Sequence, residues 1–427
     1  MKTWMVAALL LLLWGCDDQG LPPDDTLKPA VSVQFLEASC TEAWLRLLTR
    51  NDSPPYTLTL LRNDSAVAIF SSPPADTTVI DEGLVPSRTY TYRARLTSPS
   101  GLNLTGDPVQ ARTLDTTSHQ FTSETTVFGQ GDMSRFSDVA IVNDTLAYAV
   151  GEVYLRDSSG VLDPTRYNMA RWNGATWRVQ RVPYNYQGQN FYHPIQTVIA
   201  FGPDDVWFAG NGVVRWNGQQ FIPVPIPQEV WGQYRINKIW GASSRDVYIV
   251  GDGGSIAHFD GITWRRVESG TTTDMVDVWG VNSRRTGELE VYCAASSIFQ
   301  STPIRLLRIT GGSRVHTIPW IDRSLGGVWS YSGRFLYTCG DGGFENKNGV
   351  WREIPTGIGT SKIRGTALNN VMTVGSFGHI LHFNGASWQP VGTDASVGFT
   401  SVALRGNLVI AAGYRNAQGY IAVGRRQ

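Results

Sequence analysis

The residues of this 427-residue chain that could do covalent chemistry are few, and each sits in a setting that favours a structural role. Asp205 and Asp246 occupy the same point of a repeated phrase, just ahead of an alternating run such as Val247-Tyr248-Ile249-Val250, where Asp commonly caps a turn. Because each such acid has siblings at matching positions, a hydrolytic carboxylate pair would need acids from separate repeats to converge, with Arg beside them. His379 and His382 are three apart, which in a strand points them to opposite faces, and the six histidines form no metal signature. Asp252-Gly253-Gly254 and Asp341-Gly342-Gly343 lack the Lys-Ser/Thr and helix of a phosphate loop and read as hairpin turns, at best weak cation holders. Cys40, Cys293 and Cys339 are an odd set without close spacing, so they read as small buried residues rather than a disulfide framework or metal site. No cofactor and no metal is expected.

Binding chemistry has better candidates. The stretch Tyr184-Asn185-Tyr186-Gln187-Gly188-Gln189-Asn190-Phe191-Tyr192-His193 mixes planar aromatics with amides, and Trp231, Gln233 and Tyr234 follow in the next connection. Rings that stack beside groups that donate and accept hydrogen bonds suit a sugar ring or a peptide backbone. We take Tyr184, Tyr186, Gln189, Asn190, Tyr192, Trp231 and Tyr234 as the candidate ligand-binding set.

The elements that must position them come from a repeat. Ile239-Trp240-Gly241, then Asp246 to Gly251, then His258-Phe259-Asp260-Gly261-Ile262-Thr263-Trp264, is the clearest of seven similar units after Phe136. A Gly, or its replacement, closes the second strand of each: Gly151, Gly210, Gly251, Ala295, Gly340, Gly375 and Gly413. Four short strands at a period of roughly 40 residues are the signature of a β-propeller blade. Trp172-Asn173-Gly174, Trp216-Asn217-Gly218, Phe259-Asp260-Gly261 and Phe383-Asn384-Gly385 predict two-residue type I′ hairpins, with positive φ at both central positions. The last unit stops one strand short. His119 to Phe128 is predicted to supply that strand and close the ring, with Phe121 standing where Trp388 stands in the sixth blade. Six blades remain the alternative if the irregular fourth unit is merged. In either ring, the connections from second to third strand and from blade to blade open on one face, and two of the longest, 152–168 and 183–194, are neighbours there.

Ahead of the ring, residues 1–15 have a signal-peptide profile, with Lys2, an apolar run from Val6 to Leu13 too short to span a membrane, and Gly15. Leu13-Trp14-Gly15-Cys16 resembles the bacterial lipobox, which implies lipidation at Cys16; Trp14 departs from the small residue usual there. Residues 16–28, rich in Asp and Pro, read as a disordered tether. Residues 29–115 contain seven predicted short strands. Leu84 to Tyr92 resembles the fibronectin type III pattern around its tyrosine corner, with Tyr90 as the corner residue and Trp44 as the buried core Trp. Asp64-Ser65-Ala66 and Asp76-Thr77-Thr78 resemble a bacterial O-glycosylation pattern and equally fit turns.

The formal charge is zero, 36 basic residues against 36 acidic, with the basic residues scattered, which argues against nucleic acid as a partner. Forty-five Gly and fifteen Trp are what repeated turns and blade positions produce. The predicted fold is all-β: an N-terminal fibronectin type III-like sandwich, then a propeller over 119–427. The repeats resemble those of secreted bacterial lipoproteins and, distantly, sialidase-like and photosystem-assembly-factor propellers. The resemblance implies a monomeric, non-enzymatic envelope protein, held to the outer membrane or cell surface, or to the periplasmic side of the inner membrane, by its N-terminal lipid. Its propeller face would bind a glycan or a protein partner. The alternative is a sialidase-like hydrolase acting on glycosides, recognisable by a carboxylate pair and Arg cluster at the axis; an apolar axial plug would favour binding.

Overall fold

The computed structural model describes residues 28–50, 54–130, 133–186, 188–297, 303–357, 359–392 and 394–427. The leader, Cys16 and the tether before Lys28 lie outside the described residues. Two compact units divide after Thr113.

The first unit is a β-sandwich. One sheet orders Ala30–Ala38, Glu42–Arg50 and Asp76–Glu82; the other orders Ser65–Ser71, Thr57–Arg62, Thr89–Thr97 and Asn103–Thr105, with Val109–Arg112 also on Thr89–Thr97. Alternate residues of each sheet meet in one core, including Leu45, Leu47, Leu58, Leu60, Tyr92 and Leu96. Trp44 is 2% exposed, and the Tyr90 hydroxyl accepts the Val85 amide at 2.9 Å, reaching back to the preceding loop as expected. Asn103–Thr105 is an eighth strand, too short for its alternation to be read in advance.

The second unit is a ring of seven four-stranded antiparallel sheets. The innermost strands are Arg135–Asn143, Thr197–Gly202, Ile236–Ser243, Met275–Asn282, Leu325–Tyr331, Thr360–Ala367 and Gly398–Arg405, each in contact with the next and the last with the first. The fourth unit is a blade of its own, so the ring has seven. Second strands are apolar on both sides because each is sandwiched between blades. Val247 and Ile249 pack against Trp207 and Ala209 of the blade before, whereas Tyr248 and Val250 pack against Val278 and Cys293 of the blade after. Cys293 and Cys339 are free and buried, and burial pushes the Cys339 thiol up to about 12.

The repeated Gly has a steric cause. Each innermost strand except Thr197–Gly202 bulges just after its first one or two residues, and this swings a carbonyl over the end of the second strand. A Cβ on Gly151, Gly251, Gly340 or Gly413 would lie 2.0 to 2.1 Å from that oxygen.

The Asn-Gly and Asp-Gly turns differ from expectation. Trp172 pairs with Trp177, Trp216 with Phe221, Phe259 with Trp264 and Phe383 with Trp388, so the loops hold four residues rather than two. Only the glycines, at φ 91° to 98°, are left-handed. The side-chain oxygen of Asn173, Asn217, Asp260 or Asn384 accepts two amides further on, as Asp260 does from Ile262 at 3.1 Å and Thr263 at 2.8 Å. That Asx geometry keeps the first residue at ordinary φ and satisfies the turn's amides.

Ring closure is by Phe121–Phe128, which pairs with Gln418–Arg426 in the seventh sheet. The register puts Ser123, across from Gly424, at the position equivalent to Trp388. Phe121 instead meets the edge of the His382 ring at 5.1 Å between centroids. The approach to this strand is stitched to blade six, where the Asn369 amide donates to the Asp115 carbonyl at 2.8 Å and the Thr117 amide donates to the Asn384 carbonyl at 3.1 Å.

Candidate functional site

Innermost strands run from the face that carries the blade-to-blade connections toward the opposite face, and the residue just after the bulge, or its equivalent in blade two, points down the axis. The seven positions are Asp138, Thr197, Lys238, Asp277, Gly327, Lys362 and Ser401, one from each blade. They form two charge clusters. Asp138 accepts from the Lys238 ammonium at 2.5 Å, from the Thr197 and Ser401 hydroxyls at 2.7 Å each and from the Val198 amide at 3.0 Å. Asp277 accepts two bonds from Arg364, at 2.7 and 2.9 Å, one from the Val328 amide at 2.9 Å, and faces Lys362 at 3.1 Å.

Burial alone would push both carboxyls up. The Lys238 ammonium and the hydroxyls instead hold Asp138 below the usual carboxylate range, and Arg364 with Lys362 does the same to Asp277. Burial pulls the Lys238 ammonium down, and the charges of Arg364 and Lys362 add to this. Gly327 leaves room where a side chain would crowd, since a Cβ there would come within 3.1 Å of Cys339 Sγ and 3.2 Å of Asp277 Oδ2. The axis is therefore filled by ion pairs and not by the apolar plug that would have favoured binding.

Above this network the axis opens into a cavity of about 450 Å³ lined by Asp138, Lys238 and Lys362 at its floor and by Arg135, Arg235, Asp274, Thr400 and Tyr414 toward its rim. Around it lies the loop face. Among the described residues, the exposed propeller aromatics are Phe191 at 38%, Tyr234 at 45%, Phe377 at 84% and Tyr414 at 46%. Phe191 and Tyr234 lie on blade-to-blade connections, and Phe377 and Tyr414 on or beside second-to-third-strand turns, so all four share this face. Met133, 62% exposed, joins them from the connection into blade one.

The candidate ligand-binding set divides. The segment 183–194 holds a hairpin, Tyr184–Tyr186 against Gln189–Phe191, rather than an open loop. Asn168 pins its base by donating to the Val182 and His193 carbonyls at 3.0 Å each. Gln189 and Asn190 are exposed, Tyr192 is half-buried, and Asn190 accepts from the Asn185 amide at 3.0 Å. The Tyr184 ring lies over Gly212, where a Cβ would meet it at 2.3 Å. The side chain of Tyr186 lies outside the described residues. Trp231 is 5% exposed: it ends the short helix Gln228–Trp231, packs with Ile236 and Trp264, and donates to the Tyr234 carbonyl at 2.6 Å. It offers no face to a ligand. Tyr234 is exposed, its ring beside Gly253.

The suspected chemical residues are in structural use. Asp205 accepts from Trp207 and Arg215, and Asp246 bonds His258 at 2.7 Å, each tying a second strand to the third. Asp252 opens a 3-10 turn, and Asp341 precedes the strand Gly342–Lys347. His379 stands before its strand rather than in it, and His382 is buried against His119 and Asn370. Among the described residues no group of three His, Cys, Asp or Glu could hold a metal ion.

Sequence reasoning missed the axial ring. Its signal was a polar residue directly before a β-branched one, as in Asp138-Val139, Lys238-Ile239, Asp277-Val278 and Lys362-Ile363, at one fixed place in otherwise apolar strands.

Ring, axis and loop face define the class: a seven-bladed β-propeller. No family model matches the chain, and no curated protein matches it. Solved structures do. YCF48 bound to D1 peptide is 13% identical, over 71% of this chain and 97% of that one, with a TM-score of 0.54. YCF48 from Cyanidioschyzon merolae is 12% identical over 70% and 98%, at 0.51. The WD40 β-propeller domain of Doa1 is 12% identical over 71% and 96%, also at 0.51. At such identities the likeness concerns fold alone.

Proposed function

We propose that this protein is a non-enzymatic, lipid-anchored component of a bacterial cell envelope whose propeller binds a protein partner on the loop face. The carrying observation is the one-sided placement of Phe191, Tyr234, Phe377 and Tyr414 around the axial mouth. Exposed aromatics gathered on one face are a mark of an interaction surface. A protein partner is favoured over a glycan because Trp231 is buried and Tyr184 is packed on Gly212, which removes two of the planes a sugar would stack on. A propeller of similar fold has been solved with a peptide bound, which is in keeping with this reading.

The hydrolase reading loses ground at the axis. General acid and base work needs carboxyls free to exchange protons near neutral pH, whereas Asp138 and Asp277 are each held ionised by cations. Anchoring rests on Leu13-Trp14-Gly15-Cys16; among the described residues no helix is long and apolar enough to cross a membrane. An outer-membrane or surface position is the favoured one under that reading, with the periplasmic side of the inner membrane its alternative.

The test pairs two measurements on the full-length chain. Native-envelope purification with the double variant Phe377→Ser/Tyr234→Ser is expected to lose a partner that the unaltered chain and Ile262→Ser both retain, while fluorogenic glycosides, sialosides included, stay uncleaved. Turnover of any glycoside that falls with Asp138→Asn, or a partner retained by the double variant, would overturn the proposal.

A further inference from the structure

At the floor of the axial mouth, three cations meet two carboxylates. Lys238 has Asp138 to itself. Arg364 takes both oxygens of Asp277. Lys362 is left with one of those oxygens, already held by Arg364, and with the carbonyls of Gly326 at 3.3 Å and Val276 at 3.5 Å, long for an ammonium. Its side chain is 10% exposed and borders the cavity. A positive charge in excess of its partners is costly in such a place, and an entering anion would offset it.

The rim does not cancel this excess. Counting Arg166, which shares Glu152 with Arg135, three arginines there face three carboxylates: Arg235 pairs with Asp252, and Asp274, which accepts the Gly253 amide at 2.8 Å, is the third, so the rim is neutral as a whole. We propose that the axial mouth is a carboxylate subsite, in which one carboxylate of the bound partner, an acidic side chain or a chain end, enters the cavity and pairs with the ammonium of Lys362. One excess charge matches a monoanion; a phosphate dianion would leave the floor negative. This rests on the reading that the loop face binds a protein, and names the group by which the partner is held at its centre.

The probe is N-acetylglycinate, with N-acetylglycinamide as its neutral counterpart, titrated into the full-length chain in detergent and read by calorimetry. Saturable carboxylate binding is expected, absent for the amide, weakened about tenfold or more by Lys362→Met and unchanged by Ile262→Ser on the opposite face. Lys362→Gln serves if the Met variant does not fold. Equal binding of acid and amide, tighter binding of inorganic phosphate, no binding, or unaltered affinity in the Lys362 variant would each overturn the proposal. The two readings fail separately: carboxylate binding without an envelope partner removes the protein-binding face, whereas a partner captured without carboxylate binding removes the subsite.

Discussion

Acid is predicted to loosen the closure of the ring through one buried imidazole. His382 bonds the Asn370 carboxamide oxygen at 3.1 Å through Nε2, which is therefore the protonated nitrogen, and its Nδ1 lies 3.0 Å from His119 Nδ1. With both rings neutral, His119 donates to His382 and accepts from the Ser387 hydroxyl at 3.2 Å. A further proton on His382 would set two N–H groups against each other unless His119 moved its own proton to Nε2, reversing its bond with Ser387. Burial, with the charges of His119 and Arg426 adding to it, pulls His382 down to about 3 from 6.5. Because the folded state resists the proton, the associated stability is complete above about pH 6.5 and is lost as the pH falls toward 3. At 1.36 kcal/mol per tenfold change, the whole gap amounts to about 5 kcal/mol, and the part lost between pH 7 and pH 5 to about 2 kcal/mol. His119 is half-exposed, so screening reduces the latter to about 1–2 kcal/mol. Urea unfolding of the full-length chain, followed by tryptophan fluorescence at pH 7 and pH 5, should show the unaltered protein losing that much more than His382→Gln, whose amide keeps a donor toward Asn370. Equal losses in the two proteins would refute the argument.

Other substitutions probe the fold and the face. Gly251→Ala places a Cβ 2.1 Å from the Arg235 carbonyl and 2.8 Å from the Trp231 ring, and should cost about 2–4 kcal/mol in urea unfolding, against under about 1 kcal/mol for Ala295→Gly at the equivalent site. Asp277→Asn strands Lys362 and Arg364 at the axis and should cost about 3–5 kcal/mol, much of it restored when both cations are also replaced by Met. Trp231→Ala should cost about 3–5 kcal/mol by the same measurement, whereas Tyr234→Ala should change stability by less than about 0.5 kcal/mol and act on partner capture alone.

The architecture was legible because a propeller repeats its errors as well as its rules. A Gly at one place in six units, where a Cβ would strike backbone in Gly151, Gly251, Gly340, Gly375 and Gly413, stands out from sequence alone, as does the missing last strand. The Asn-Gly turns were misread because that dipeptide suits a type I′ hairpin as well as an Asx loop; the fixed aromatic at Trp177, Phe221, Trp264 and Trp388 already marked a four-residue loop. Trp231 was taken for a loop aromatic because its burial depends on the space Gly251 leaves, a contact between distant residues. Asp138, Lys238, Asp277 and Lys362 escaped notice for a related reason: each is an ordinary strand polar residue until seven strands converge and turn them toward one axis. Phe377 sits in a short turn, and Tyr414 near the end of the strand Leu408–Arg415 beside another, where length gave no hint of a binding face.

The most direct test of the loop face is site-specific photocrosslinking in the native envelope, with the photoreactive residue placed at Phe377 or Tyr234 and, on the opposite face, at Ile262 or Val350. All four positions are exposed, so reactivity alone does not separate them. A common discrete adduct from Phe377 and Tyr234, with none from Ile262 and Val350, is the predicted result. Adducts from both faces alike, or from neither, would contradict the account.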